Sequence, residues 1–286
     1  MCCGSPGSSG WGSPNGPGPS WGPCCSSGSP PRCSLRPSSP RWRGRPSSGR
    51  RQGAGTEPAC SRCSPWHLRL GGTHGPLLGA LVDRLADVVP DARVTTCTSW
   101  SERELAEQLA EGRLDFALAG TCGSAAPPGA AGLVWREVAV DPVFVMVPER
   151  HPLARRAEVD LTELADEEWA CVPGDGCFGD CFTASCARAG FTPRRMYETD
   201  TASLVHLVQV GRAVGLCRAT FPTTPGIVTR PLTGTPLAWR HLLGWHTVTG
   251  RADTAATVLA QARMAHAGVA ASSDSYTEWM AAHRVP

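Results

Sequence analysis

The chain has no lysine, one isoleucine (Ile227) and one asparagine (Asn15) among its 286 residues. All 27 of its basic side chains are therefore arginines, and its core must be assembled from Val, Leu and Ala. Codons for the scarce residue types are AT-rich, so the bias points to a GC-rich genome. No apolar run reaches the roughly 18 residues that a helical membrane span requires. The first twenty residues, MCCGSPGSSGWGSPNGPGPS, lack the basic start and apolar centre of a secretory signal. The expected compartment is the cytoplasm, where the 14 cysteines should be mostly reduced. Also missing are G-x-S-x-G, a P-loop and H-E-x-x-H, and the eight histidines are scattered. The expectation is a protein that is not an enzyme and holds no cofactor.

The small net charge of +2 conceals an asymmetry. Residues 1–66 hold eight arginines and one acid, Glu57, a balance of +7, and the remainder carries −5. That first segment is rich in Gly, Pro, Ser, Arg and Cys and almost free of aliphatic residues. It cannot bury enough apolar surface to offset the entropy of ordering, so disorder is expected. Cys2/Cys3, Cys24/Cys25 and Cys60-x-x-Cys63 invite a zinc reading, but no histidine stands at finger spacing. RWRGRPSSGRR could touch nucleic acid nonspecifically. Translation of a wrong frame of GC-rich DNA would give the same residue mixture.

From Trp66 onward the pattern changes. HLRLGG (67–72) alternates and stops at paired glycines, as a short strand does. PLLGALVDRLADVV (76–89) spaces Leu77, Leu78, Leu81, Leu85 and Val88 for a helix, with Thr73 as its expected cap. ARVTTCT (92–98) reads as a strand. Ser101 can cap the next helix, with Glu104 three residues on as in a capping box. Leu105 and Leu109 face inward, and the left-handed turn falls at Gly112 before the strand LDFALAG. This β-α-β-α-β order is the mark of a parallel sheet covered by helices. GLVWREVAVDPVFVMVP (132–148) reads as two strands meeting at Asp141-Pro142. A second run of α/β units follows, then strands in GIVTRPL and WRHLLGWHTV, and a final Ala-rich helix in ADTAATVLAQARMAHAG. Two successive α/β units joined by a strand pair imply two lobes with a cleft between them.

Residues 67–268 resemble the effector-binding domain of LysR-type bacterial transcriptional regulators. The likeness rests on an ordered set: LRLGG and a helix ending VVPDARV; EL…L-x-EGRLDFAL; PPGAAGL…VAVDPVFVMVPERHPLA; VDLTELADEEW; SCARAGFTPR; LVQVGRAVGL; and RPL before the last strand. The resemblance implies an α/β fold of two Rossmann-like lobes around a ligand cleft, of the type 2 periplasmic-binding-protein kind. Lobe I would comprise 67–142 plus 246–268, lobe II 143–245, and 269–286 a C-terminal tail. It implies a small-molecule effector, a homo-oligomer, and DNA contact through an N-terminal winged helix-turn-helix. Residues 1–66 offer no amphipathic recognition helix, and Pro30, Pro31, Pro37, Pro40 and Pro46 would break one. DNA binding by this polypeptide is therefore not expected from these residues.

Ligands of open α/β sheets bind beyond the carboxyl ends of strands. The loops there hold Thr73, His74, Ser99, Ser101, Gly120 and Thr121 in the first lobe, and Cys177, Phe178, Thr201, Ser203 and Thr220 in the second. Helix starts with small hydroxyl residues suit an anion, although each can equally be only a cap. Asp115, near the start of its strand, reads as structural, paired with a nearby arginine. Peroxide-sensing members of the resembled family carry a reactive cysteine with a partner nine residues on. Cys177 and Cys186 match that spacing, but Gly176 and Gly179 replace the polar neighbours, and core filling is the expectation for these thiols. No metal site is expected. The alternatives to an effector-binding regulator are a transporter's solute-capture protein, which shares the fold, and a thiol-based redox switch.

Overall fold

The computed structural model describes residues 67–129, 131–194, 196–248 and 252–283. The expectations for residues 1–66 lie outside them.

Two parallel-strand units are built in succession. The first comprises β1 (His67–Gly72), α1 (Pro76–Val88), β2 (Arg93–Thr98), α2 (Glu102–Ala110) and β3 (Phe116–Cys122). Strand β1 lies between β2 and β3, parallel to both. Helix α1 turns Leu77, Leu78, Leu81 and Leu85 onto this sheet. Leu81 is 1% exposed, and such a leucine contributes about 1.5–3 kcal/mol through burial. Gly112 adopts φ 68°, the left-handed turn that lets α2 stop and β3 begin. Asp115 is structural, as expected: its carboxylate accepts from Arg69 Nη2 at 2.7 Å, Arg69 Nε at 3.1 Å and the Arg69 backbone N–H at 2.7 Å.

Strand β4 (Leu133–Pro148) corrects the expectation of two strands meeting at Asp141-Pro142, because one strand spans both segments, its only register shift lying between Glu137 and Ala139 in the pairing with β9. Its first part pairs antiparallel with β9 (Ala238–His246), and its second part pairs with β7 (Val214–Arg218) and β8 (Ile227–Pro231). Pro142 pairs with Ala238 at the last rung on β9, and Val143 opens the ladder on β7. Proline's missing N–H falls where β4 changes partners, so the strand is not broken there.

The second unit adds β5 (Trp169–Cys171), α3 (Phe178–Arg188), β6 (Met196–Glu198) and α4 (Thr201–Gln209). Strand β5 lies between β6 and β7, parallel to both. The full order is β2-β1-β3-β9-β4-β7-β5-β6, with β8 beside β4.

Strand β9 was expected in the second lobe up to residue 245. It pairs instead with β3 and with the first part of β4, so the chain returns to the first sheet at Ala238. Residues 269–283 of the expected tail are structured as well. Helix α5 (Ala252–Ala271) runs past residue 268, and α6 (Asp274–Ala282) follows. Tyr276, Trp279 and Met280 of α6 pack with Phe144, Met146 and Leu204 in the second unit's core, and this burial orders the segment.

Candidate functional site

The ends of β1, β3 and β7 and the starts of α1, α2 and α3 meet around Trp239, the second residue of β9. Gly120 of β3 lies flat on the indole, and a Cβ there would sit 2.3 Å from the ring. Phe178 meets the same ring edge-on at 5.7 Å. The Arg218 guanidinium lies over it at 5.1 Å, within reach of a cation–π attraction.

Arg218 leaves the end of β7 and crosses to the first unit. Its Nη1 donates to the His74 carbonyl at 3.1 Å and its Nη2 to the Thr73 hydroxyl at 3.3 Å. Thr73 therefore serves this bridge and does not cap α1. The N-cap is Gly75, at φ 154°, where a Cβ would come within 2.6 Å of Arg218 Nη1. Protein packs densely round the guanidinium and lowers its pKa by desolvation, yet Arg218 keeps part of its surface in water. It remains a cation, and both oxygens it holds are neutral.

At the start of α2, Ser101 accepts from the Glu104 N–H at 2.8 Å and caps the helix. The expected capping box is only half formed, because the Glu104 carboxylate turns to Ser99 and Gln108. The Ser101 hydroxyl also donates to Asp175, across to the loop before α3. Glu102 is buried, and a Cβ on Gly176 would collide with its carboxylate. Burial, reinforced by the charge of Asp175 and opposed by that of Arg218, pushes the Glu102 carboxyl up to about 7. Glu102 is thus only partly ionised at neutral pH, while the ionised Asp141 also acts on Arg218 through its charge.

The structure brings Thr73, His74, Ser99, Ser101, Gly120, Thr121, Cys177 and Phe178 to this junction. His74 stacks on Trp100 at 3.6 Å. Thr121 is 2% exposed, and its hydroxyl finds no hydrogen-bond partner among the described residues. Thr220 is buried just beyond Arg218. Thr201 and Ser203 are exposed at the start of α4, where Ser203 bonds to the capping Asp200. No hydrogen bond joins either of them to the first unit among the described residues.

Three thiols converge beside the same junction. Cys122 ends β3, Cys177 precedes α3, and Cys181 lies one helical turn further on. Cys177 Sγ accepts from the Cys122 N–H at 3.0 Å. Burial raises the pKa of the Cys122 and Cys177 thiols, and the neighbouring thiols add to the effect at Cys122. Cys186 stands apart, buried in the second unit's core with its thiol pushed up to about 11 by burial. Nine helical residues advance about 13 Å, whereas a disulfide needs Cα atoms within about 7 Å. Peroxide treatment should therefore yield no Cys177–Cys186 disulfide while the fold persists, as peptide mapping by mass spectrometry would read.

Sequence reasoning missed a second buried cluster, at the crossing of β4 and β9. Asp141, fully buried on β4, accepts from His241 Nε2 of β9 at 2.8 Å, His266 Nε2 of α5 at 2.9 Å and the Tyr276 hydroxyl of α6 at 2.6 Å. Burial alone would raise the Asp141 pKa. The hydrogen bonds from His241 and His266 outweigh it and hold the carboxyl well below the usual carboxylate range. Desolvation lowers the His241 pKa, so its ring is neutral at pH 7. The four residues lie 100 and more positions apart at the extremes, and each is unremarkable in its own segment.

A family model described as "LysR substrate binding domain" matches residues 67–267. A small neutral protease regulatory protein of Streptomyces coelicolor is 29% identical over 214 residues, 74% of this chain and 66% of its own length. The HTH-type transcriptional regulator ShiR of Corynebacterium glutamicum is 28% identical over 155 residues, 52% of this chain and 50% of its length. The chain thus spans between half and two thirds of these relatives. Among solved structures, the reduced OxyR regulatory domain from Pseudomonas aeruginosa superposes with a TM-score of 0.60 at 21% identity, covering 71% of this chain and 97% of that one. The BenM effector binding domain with its effector benzoate gives 0.59 at 18% identity, with 71% and 92% covered. At these identities the likeness establishes the fold alone, a two-lobed periplasmic-binding-protein-like architecture.

Proposed function

The chain belongs to the LysR family, residues 67–267 being its substrate-binding, or effector-binding, domain, and from that premise we propose that it senses a small anionic metabolite between its two lobes and thereby controls transcription. The division of lobes that goes with this reading is 67–142 with 238–271, and 143–237 with α6.

The observation that carries the reading is Arg218. It is a cation at the lobe junction that spends its fork on two neutral oxygens, one of them a backbone carbonyl. Its acidic neighbour Glu102 is only partly ionised at neutral pH. Asp141 adds negative charge nearby without a hydrogen bond to Arg218 among the described residues, so an incoming carboxylate would supply a directly bonded anion and could accept two parallel guanidinium hydrogen bonds. The unpartnered Thr121 hydroxyl and the N-terminal ends of α1 and α2 add donors. That a structural relative was crystallised with benzoate is consistent with a carboxylate ligand. Binding would act by favouring one lobe arrangement over another. DNA contact, self-association and a cytoplasmic setting belong to the same reading. No helix among the described residues is long and apolar enough to cross a membrane.

Calorimetric titration of the protein with a panel of small mono- and dicarboxylates tests the proposal. The expected outcome is saturable one-to-one binding of at least one carboxylate, competitive within the panel. Preference for neutral or cationic analogues of the same size would overturn it.

A further inference from the structure

We propose that Cys122, Cys177 and Cys181 form a three-thiolate site for a soft d10 divalent cation, such as Zn2+ or Cd2+, that links the two lobes. The inference goes beyond the anion reading, since a metal held by these sulfurs requires neither Arg218 nor a metabolite.

The three Sγ atoms all lie within 4.8 Å of one another. Sulfurs each about 2.3 Å from one tetrahedral ion stand about 3.8 Å apart. The observed spread therefore closes onto an ion with side-chain adjustments of about 1 Å or less. Cys177 and Cys181 are four residues apart at the start of α3, with the Cys181 N–H bonded to the Cys177 carbonyl at 3.0 Å, so both stand on one helix face. Cys122 comes to them from the other lobe, at the last residue of β3. Its own N–H already donates to Cys177 Sγ at 3.0 Å, the kind of outer contact that stabilises a metal-bound thiolate.

The other described cysteines set these three apart. Cys186 and Cys217 are buried singly and behave as small core residues. Cys177 and Cys181 keep partial exposure at the cleft, where an ion can enter. Softness of the donors selects thiophilic ions over Mg2+ or Ca2+. The step balances as three thiols plus M2+ giving a tris-thiolate complex of net charge −1 and three released protons. Arg218, stacked on the Trp239 that pairs with Cys122 in register, supplies positive charge in the same cleft. Three protein ligands leave a fourth position for water or for a donor atom of a cleft ligand.

The test uses the full chain with Cys2, Cys3, Cys24, Cys25, Cys33, Cys60 and Cys63 replaced by serine, so that thiols before residue 67 cannot contribute. The reduced protein is titrated with Cd2+, read by thiolate-to-metal ultraviolet absorption, and with Zn2+ against a chelator, with metal counted by mass spectrometry. One ion per chain is expected, with a rise in Tm on loading. Cys181→Ser, a near-isosteric change at a partly exposed position that should leave the fold intact by circular dichroism, should weaken binding by more than the 10–100-fold that loss of an outer contact costs. Cys122→Ser should do the same, while Cys97→Ser and Cys171→Ser should leave it unchanged. Failure to bind a stoichiometric ion, or undiminished affinity in folded Cys181→Ser, would overturn the site. Carboxylate titration of the same Cys181→Ser protein, without metal, reports on the anion reading separately.

Discussion

Replacing Asp141 by alanine should lower the free energy of unfolding by about 3–5 kcal/mol, the cost of breaking a buried charged network by removing one partner. Among the described residues the carboxylate is the acceptor that His241, His266 and Tyr276 share. Its loss leaves three buried donors from β9, α5 and α6 without that partner. Asp141→Asn keeps the shape and one acceptor oxygen, so it should cost less than alanine, and urea unfolding would read both. The same cluster sets an acid limit. His241 has a depressed pKa in the folded state, so its contribution is full above its unfolded value, about 6.5, and is lost as pH falls below that. Asp141, also depressed, contributes fully above about 3.9 and loses that contribution as pH falls through its folded value. Glu102 runs the other way. Raised to about 7, it favours the fold most below about 4.3 and loses that contribution as pH climbs to 7. Between pH 4.5 and 6.5 the two trends oppose each other. Glu102→Gln removes the second, and that variant should then lose stability steadily from about pH 6.5 downward. A flat profile in Glu102→Gln would show that His241 is not held neutral.

Arg218→Gln should weaken carboxylate binding by about 2–5 kcal/mol, at least about 30-fold in Kd, as truncating one partner of a buried hydrogen-bonded charge pair does. The unliganded protein should suffer less, because among the described residues Arg218 makes two hydrogen bonds, both to neutral oxygens, and it retains some contact with water. The informative comparison is therefore Kd against Tm. Arg218→Lys keeps the charge but not the planar fork, so it should recover part of the affinity and not all of it. An unchanged Kd in Arg218→Gln would move the ligand away from the lobe junction. Collapse of Tm with Kd unaffected would make Arg218 a purely structural bridge.

Much of the fold was legible because its elements are local. The leucine spacing of 76–89, the left-handed Gly112 and the alternation in HLRLGG each report a nearby physical requirement, and each element stands where that requirement puts it. Asp115 was legible for the same reason, since its place at the start of β3 kept it off the ligand side. The misreadings share an opposite cause. Asp141-Pro142 reads as a break only if both neighbouring strands are assumed to persist, and the change of partner at Pro142 is a property of the sheet. Thr73 reads as a cap until Arg218, some 145 residues away, claims its hydroxyl. His241, His266 and Tyr276 carry no shared spacing, so nothing local marks them as companions of Asp141. The cysteines were compared by sequence interval, which paired Cys177 with Cys186, whereas the fold pairs it with Cys122.

The run of β4 through both sheets, bulged once between Glu137 and Ala139, has a mechanical consequence. Sixteen residues at about 3.3 Å each make a rod of roughly 50 Å, clamped at one end by β9 and at the other by β7 and β8. Lobes joined by loops can swing freely about a few soft dihedrals. Lobes joined by a rod can rotate only by winding or unwinding it, against a restoring torque that grows with angle. The Asp141 cluster grips this torsion spring near its middle, at the point where the twist must pass. In the proposed effector reading, closure on a ligand is elastic, with small excursions about one resting pitch, and a change of side chain at the grip would retune the stiffness.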